Sequence, residues 1–380
     1  MIEMEKTKLS TWEAACIITG YGIGGGVLAM PYLAAKNGLI VAGIILVLAF
    51  AASYALHMMI ADTVLKCGEG SQIVAVFSRF LFRGRGKTAL TIAFFLLMAV
   101  VLCSNLAAYI AGAADVIISL FPVPPLVGKL IFYIFAASVV LFGLKAVAVS
   151  EKLMVAAIFA IIGILAAASF TAELHPLPFA PGGVRDMMAY YGMAMLAFSA
   201  FFSIPQAVEG LNGDEDKIKK AVFLGLGNNF ILIVVITLCA LLASKEVTEV
   251  AMTGWSAGIG TWATVAGGVF TLLAMLTTYW SISLALSGIV EEQMAWDKRI
   301  CWLLATAPSL IVTLFNIGGF LDFLELAGGA IAIIVAVMVV PTYRNARKEL
   351  GQGMLGRFSG GLVQILVVIG YIFMAVGNLV

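Results

Sequence analysis

Gly20-Tyr21-Gly22-Ile23-Gly24-Gly25-Gly26-Val27-Leu28-Ala29-Met30-Pro31-Tyr32 lies inside the first apolar segment, at the depth where a membrane-spanning helix should be most regular. Five of the seven residues from Gly20 to Gly26 are glycine. At about 1 kcal/mol each relative to alanine, the helical penalty approaches roughly 5 kcal/mol in under two turns. Peptide groups without helical partners are tolerated at membrane depth only where they are packed in protein or line a watery cavity. The stretch therefore predicts an unwound hinge whose free N–H and C=O groups hold a ligand. The alternative is a glycine-lined packing face, because Gly20/Gly24 and Gly22/Gly26 each have the spacing that lets membrane helices approach closely.

Around this stretch the chain of 380 residues is 62% hydrophobic and 11% charged, with long apolar runs recurring to its last residue. That composition specifies an all-α polytopic membrane protein, read as a single transmembrane domain over 1–380. A net charge of +1 and the lack of a basic stripe interleaved with aromatics argue against nucleic acid as a partner. Cys16, Cys67, Cys103, Cys239 and Cys301 are scattered, odd in number and without a C-x-x-C pair, so they read as small apolar residues. No A-x-A site closes a short apolar region near the N-terminus, and the first segment reads as retained.

Hydropathy and helix breakers divide the chain into eleven spans, approximately 11–35, 38–64, 88–120, 126–143, 151–172, 187–211, 221–243, 260–290, 300–317, 320–340 and 359–379. With the N-terminus cytoplasmic, only Lys36, Lys129, Arg185 and Lys245 of the 22 basic residues fall in outer loops. The positive-inside rule then places the C-terminus outside. Spans one to five (first repeat, 11–172) and six to ten (second repeat, 187–340) lie in opposite orientations, and 359–379 is an extra helix. Between span two and span three, a short amphipathic helix is expected around Gln72 to Phe82.

The sixth span, Tyr190 to Gln206, meets Pro205 about two-thirds of the way along, which removes a donor and should free carbonyls near Phe201 and Phe202. A simple proline kink would account for it alone. The first span of each half is nonetheless broken near mid-depth, and such a coincidence points to a binding site at the interface of an inverted repeat.

Gly24-Gly25-Gly26-Val27-Leu28-Ala29-Met30-Pro31-Tyr32, with Gly38 in register, resembles the first-helix pattern of the amino acid/auxin permease family, a branch of the amino acid, polyamine and organocation transporter superfamily. Ile23 to Pro31 is also similar to the bacterial aromatic amino acid permeases, and Phe198 to Pro205 resembles the broken sixth helix of both. The resemblance implies the fold of the bacterial leucine transporter: five plus five inverted spans with helices one and six broken around the substrate. It implies a secondary amino acid transporter working by alternating access. On that reading, N–H groups around Gly22, Gly24, Gly25, Gly26 and Val27 present partial positive charge to a substrate carboxylate. Carbonyls from Ala197 to Phe201 accept from its ammonium group.

The same resemblance supplies expectations for the coupling ion and for specificity. Ala274-Met275-Leu276-Thr277-Thr278 is similar to the stretch that lines a sodium site in neurotransmitter-type symporters, so Ala274, Thr277 and Thr278 would face span-one carbonyls near Thr19 and Gly22. Oxygen ligands alone do not choose between metals, and threonines in membrane helices commonly bond their own backbone. A proton is the rival coupling ion. Relatives that replace this sodium with a fifth-span lysine are not matched at Val155 to Ala160, which is apolar. Glu13, Asp62, Asp115, Glu209, Asp322 and Glu325 lie in or near spans, with Glu13 and Glu325 placed as gate contacts or proton sites. Ser104, Asn105 and Tyr109 of span three, Phe198, Phe201 and Phe202 of span six, and Tyr279 of span eight are candidate pocket residues for a neutral, apolar or aromatic amino acid.

No cofactor is expected besides Na+ or H+ as coupling ion, and the partners expected are an amino acid, that cation and the lipid bilayer. An enzyme is disfavoured: His57 and His175 are far apart, and neither H-E-x-x-H nor G-x-S-x-G occurs. His57 alone in an apolar helix reads as a bonded structural residue. Two midspan breaks favour alternating access over a fixed pore. The expected location is the plasma (inner) membrane of a prokaryotic-type cell.

Overall fold

A computed structural model describes residues 8–68, 70–315, 318–319, 323, 334–351 and 353–377, and no strand occurs among them. The broken first span is α1 (Thr11–Gly22) and α2 (Gly25–Asn37), followed by α3 (Leu39–Cys67), α4 (Ile73–Phe80), α5 (Lys87–Leu120), α6 (Pro125–Leu141) and α7 (Leu144–Ser169). The second half brings α8 (Val184–Ala197), α9 (Ser203–Gly210), α10 (Glu215–Ala243), α11 (Ala251–Ile259), α12 (Thr261–Met294) and α13 (Lys298–Leu314). A π-helical turn, Val335–Val339, leads into α14 (Val340–Leu350), and α15 (Gly361–Gly377) closes the described chain.

Helices α3, α5, α7, α10 and α12 are each long and apolar enough to cross a membrane, as is α1 with α2 taken as one bent span; α6 and α15 are shorter apolar helices. Of the eleven expected spans, the tenth falls largely outside the described residues, and with it Asp322 and Glu325. Lipid-facing stripes are visible at helical spacing: Ile40, Ile44, Val47 and Leu48 on α3, and Leu362, Ile365, Leu366, Ile369 and Phe373 on α15, are all exposed. Helix α1 behaves oppositely, with every residue from Glu13 to Gly22 buried. It is the central rod, packed against α7, α9, α10 and α12.

Both breaks sit beside one another within the stretches the sequence singled out, but with different extents. Helix α1 continues through Gly20 to Gly22, and the interruption is confined to Ile23 and Gly24, across which the axis turns by 61°. The second break spans Phe198 to Phe202, upstream of Pro205. Pro205 is the third residue of α9, where a missing N–H falls among groups that have no intrahelical partner anyway. The fifth span also shifts. Helix α7 begins at Leu144 rather than near 151, which carries Glu151 two turns into the helix. The expected amphipathic segment is present as α4, its buried side formed by Ile73, Val74, Val76, Phe77 and Phe80.

Candidate substrate and cation site

The glycines of the opening stretch divide their labour. A Cβ added at Gly22 would lie 2.0 Å from Asn229 Nδ2 and 3.0 Å from the Ala197 carbonyl, and one at Gly26 would lie 3.0 Å from Ala197 N. One at Gly20 would collide with the Glu151 carboxyl at 2.0 Å. All three are close approaches, against backbone at Gly26 and against the movable ends of the Glu151 and Asn229 side chains at Gly20 and Gly22. Gly24 is the N-cap of α2 and no side chain caps it. The hinge and the packing face are therefore both present, on different glycines of one segment.

The two breaks thus meet across Gly22, Gly26 and Ala197, at the end of α8. At the second break, no side chain caps the N-terminus of α9. His57 of α3 does part of that work: its Nδ1 donates to Ser53 O at 2.6 Å, which leaves Nε2 to accept the Ala200 N–H at 2.9 Å. The imidazole also stacks on Phe201, with centroids 5.1 Å apart. His57 is accordingly a bonded strut, as its position in an apolar helix suggested, and it holds the irregular segment in one conformation.

Tyr109 of α5 places its hydroxyl over the first break, 2.5 Å from where a Gly24 Cβ would stand, with Thr278 Oγ1 3.2 Å from the same point. Asn105, one turn before Tyr109, is buried with its Oδ1 unpartnered. Ser104 donates to Phe323 O at 3.3 Å. The aromatic candidates diverge instead of forming one pocket. Phe198 stacks in an aromatic group with Phe50 and Phe230, Phe202 packs near Tyr21, and Tyr279 meets Phe132 of α6 edge-on at 5.7 Å. A wholly apolar cavity beside Phe201 and Phe202, lined also by Phe77, Met98 and Val339, offers no group that a zwitterion could use.

On α12, Thr277 Oγ1 and Thr278 Oγ1 each donate to Ala274 O at 3.0 Å, and Thr278 Oγ1 also lies 3.0 Å from Gly20 O and 3.5 Å from Tyr21 O. Thr278 thus reaches the broken helix at Gly20 and Tyr21, whereas Thr277 bonds only within α12. The Thr19 carbonyl, however, accepts the Ile23 N–H at 3.0 Å, and the Thr19 hydroxyl reaches Ala15 O and Gly225 O.

Three polar groups near this junction were not singled out from sequence. Glu151 is fully buried beside Gly20, its Oε1 accepting from Ser281 Oγ at 3.0 Å and its Oε2 without a partner. Asn228 of α10 donates to Thr19 Oγ1 at 3.1 Å, and both amide atoms of buried Asn229 are unpartnered. The available signals were the Asn228-Asn229 pair inside an apolar span and a carboxylate at a span edge drawn seven residues too late. The acids that were singled out lie elsewhere. Asp62 is paired with Lys66 and accepts the Met354 N–H, Asp115 is exposed, and Glu209 is half-buried on α9. Glu13 closes a capping box with Ser10 and is bridged to Lys145 of α7 at 2.9 Å.

A family model for tryptophan/tyrosine permeases matches residues 7–378. The chain belongs to the tryptophan/tyrosine permease family. Of the two families that the first span resembles, the match falls on the aromatic permeases. Two solved structures share the fold. MhsT in complex with L-phenylalanine aligns over 97% of this permease and 100% of that chain, with a TM-score of 0.66 at 15% identity. Mhp1, a nucleobase-cation-symport-1 family transporter in a closed conformation with bromovinylhydantoin bound, aligns over 98% and 92%, with a TM-score of 0.64 at 13% identity. None of the curated proteins matches the chain. The permease is a multi-pass transporter of the leucine-transporter fold, and not an enzyme.

Proposed function

We propose that this chain is a secondary active symporter of neutral aromatic amino acids, with tryptophan and tyrosine first among them. The observation that carries the reading is the meeting of two uncapped helix breaks at Gly22, Gly26 and Ala197. N–H groups from Gly24 to Val27 receive the substrate carboxylate, and main-chain carbonyls of Ala197 to Phe201 receive its ammonium, so a zwitterion is held with no fixed protein charge. Tyr109 stands over the first break as a polar contact, and Asn105, one turn earlier on α5 with its Oδ1 unpartnered, is a second polar group for the substrate. Phe198, Phe201, Phe202 and Tyr279 form aromatic surroundings of that junction and act mainly through packing.

The driving ion is Na+, held by Ala274, Thr277 and Thr278 with carbonyls of the α1 end at Thr19 and Gly22. Thr278 Oγ1, within 3.0 Å of both Ala274 O and Gly20 O, supports it, with Thr277 Oγ1 on the same Ala274 carbonyl. A proton is the second reading, favoured by buried Glu151. The N-terminus lies in the cytoplasm of a plasma-membrane carrier built from two inverted repeats, 11–172 and 187–340, in agreement with the distribution of basic residues. Purified protein reconstituted in liposomes should accumulate radiolabelled L-tryptophan under an imposed sodium or proton gradient. Uptake that is unsaturable, or indifferent to both gradients, would contradict the reading. Replacing sodium by choline without effect would remove sodium as the driving ion.

A further inference from the structure

We infer that Glu151 carries a coupling proton, exchanged with water as α1 uncovers and covers it; the inference rests on the amino acid symporter reading above. Its side chain is fully buried where α1, α7 and α12 meet, and its described contacts are Ser281 and the Gly20 backbone. Ser281 Oγ stands between two acceptors, Glu151 Oε1 at 3.0 Å and Ile17 O at 3.3 Å. One hydroxyl hydrogen shared between the two serves each poorly. A proton on Glu151 resolves the conflict, because the acid O–H then donates to Ser281 Oγ, and Ser281 donates onward to Ile17 O. The neutral acid thereby ties α12 to the α1 backbone, five residues before the first break ends that helix.

Among the described residues, no cation is placed to neutralise a buried carboxylate here. Glu13 and Cys16 of α1 and Lys152 of α7 are the titratable groups on this side, with Lys152 exposed and Glu13 already paired with Lys145. Helix α9 presents Gln206, which donates to Ser281 O, while Glu209 is turned toward Lys298 and Glu291; α10 presents Asn228 and Asn229, and α12 presents Thr278 and Ser281. Covering an ionised carboxylate here would strip its hydration without a counter-charge. The arrangement with α1 seated therefore selects the acid form. When α1 lifts, water reaches the group, the O–H bond breaks, the proton passes to that water, and the carboxylate holds α1 away until it is protonated again. A glycine at position 20 is what allows the carboxyl to lie against α1.

The test uses the full chain in liposomes with L-tryptophan as probe, with sodium equal on both sides and only the pH gradient imposed. Wild type should accumulate tryptophan when the lumen is alkaline. Glu151→Gln should still be thermally stabilised by tryptophan and equilibrate it across the membrane, yet lose accumulation by about tenfold or more, with no remaining dependence on the gradient. Accumulation by Glu151→Gln equal to wild type would overturn the inference, as would wild-type accumulation that ignores the pH gradient. Should that variant fail to insert, wild type in weakly buffered detergent supplies the answer. Tryptophan addition should bind or release about one proton per chain at some pH between roughly 5 and 8. No proton movement across that range would overturn the inference while leaving the symporter reading intact. Failure of wild type to bind tryptophan or tyrosine would remove the reading and the inference with it.

Discussion

Glycine does two different jobs within seven residues, and substitutions should tell them apart. Gly26→Ala drives a methyl group against Ala197 backbone atoms at 3.0 to 3.2 Å, and a backbone neighbour cannot swing aside. Uptake should fall by about tenfold or more, as a loss of roughly 1.4 kcal/mol in substrate binding would give. Gly43→Ala, at an exposed position in the second turn of α3 with nothing within 4 Å, should leave uptake unchanged and raise stability by about 0.5 to 1 kcal/mol. Equal effects of the two on tryptophan uptake would count against the contact between the breaks. His57 is the other informative residue. His57→Ala leaves the Ala200 N–H buried without its acceptor, at a cost of about 1 to 3 kcal/mol. A lowered thermal midpoint in detergent, together with weaker tryptophan stabilisation, is the expected result.

Among the elements, the proposed alternating access makes α1 the moving part, and polar contacts at its N-terminal end hold it seated. Leu9 N donates to Gly210 O at 2.7 Å, and the Glu13 to Lys145 bridge is half exposed on its lysine side. Partly exposed pairs contribute about 0.2 to 1 kcal/mol, so Lys145→Ala should raise the labelling rate of buried Cys16 by a permeant maleimide up to about fivefold. An unchanged rate would argue that the bridge does not hold α1. On α12, Thr278→Ala should weaken cation dependence of uptake more than Thr277→Ala, since only Thr278 also reaches α1 carbonyls. Thr88→Ala, exposed at the start of α5, should do nothing. Element boundaries also explain what could be read from sequence. Clustered glycines and a midspan proline announced both breaks, because backbone chemistry is local. Their exact extents depend on who packs alongside, and Ala197, Asn229 and His57 come from elements remote in sequence. Glu151 escaped notice for a related reason: hydropathy marks where a helix turns apolar, whereas α7 begins two turns earlier at Leu144.

For the whole molecule, the account is that two oppositely oriented halves offer main-chain atoms to one zwitterion, and that a cation decides when the central rod may move. The aromatic side chains anticipated as one pocket instead pack in separate directions, Phe198, Phe201 and Phe202 from within the second break itself, so specificity for tryptophan or tyrosine should respond more to Asn105 and Tyr109 than to Phe198. Tyr109→Phe should raise the half-saturating tryptophan concentration severalfold while Phe198→Leu chiefly lowers thermal stability. The most direct measurement is an experimental structure of the purified permease with L-tryptophan bound. The account requires the ligand carboxylate at hydrogen-bond distance, about 2.7 to 3.2 Å, from N–H groups between Gly24 and Val27, and the ammonium facing carbonyls between Ala197 and Phe201. Uninterrupted helix from Thr19 to Val27, or tryptophan seated away from both breaks, would contradict it.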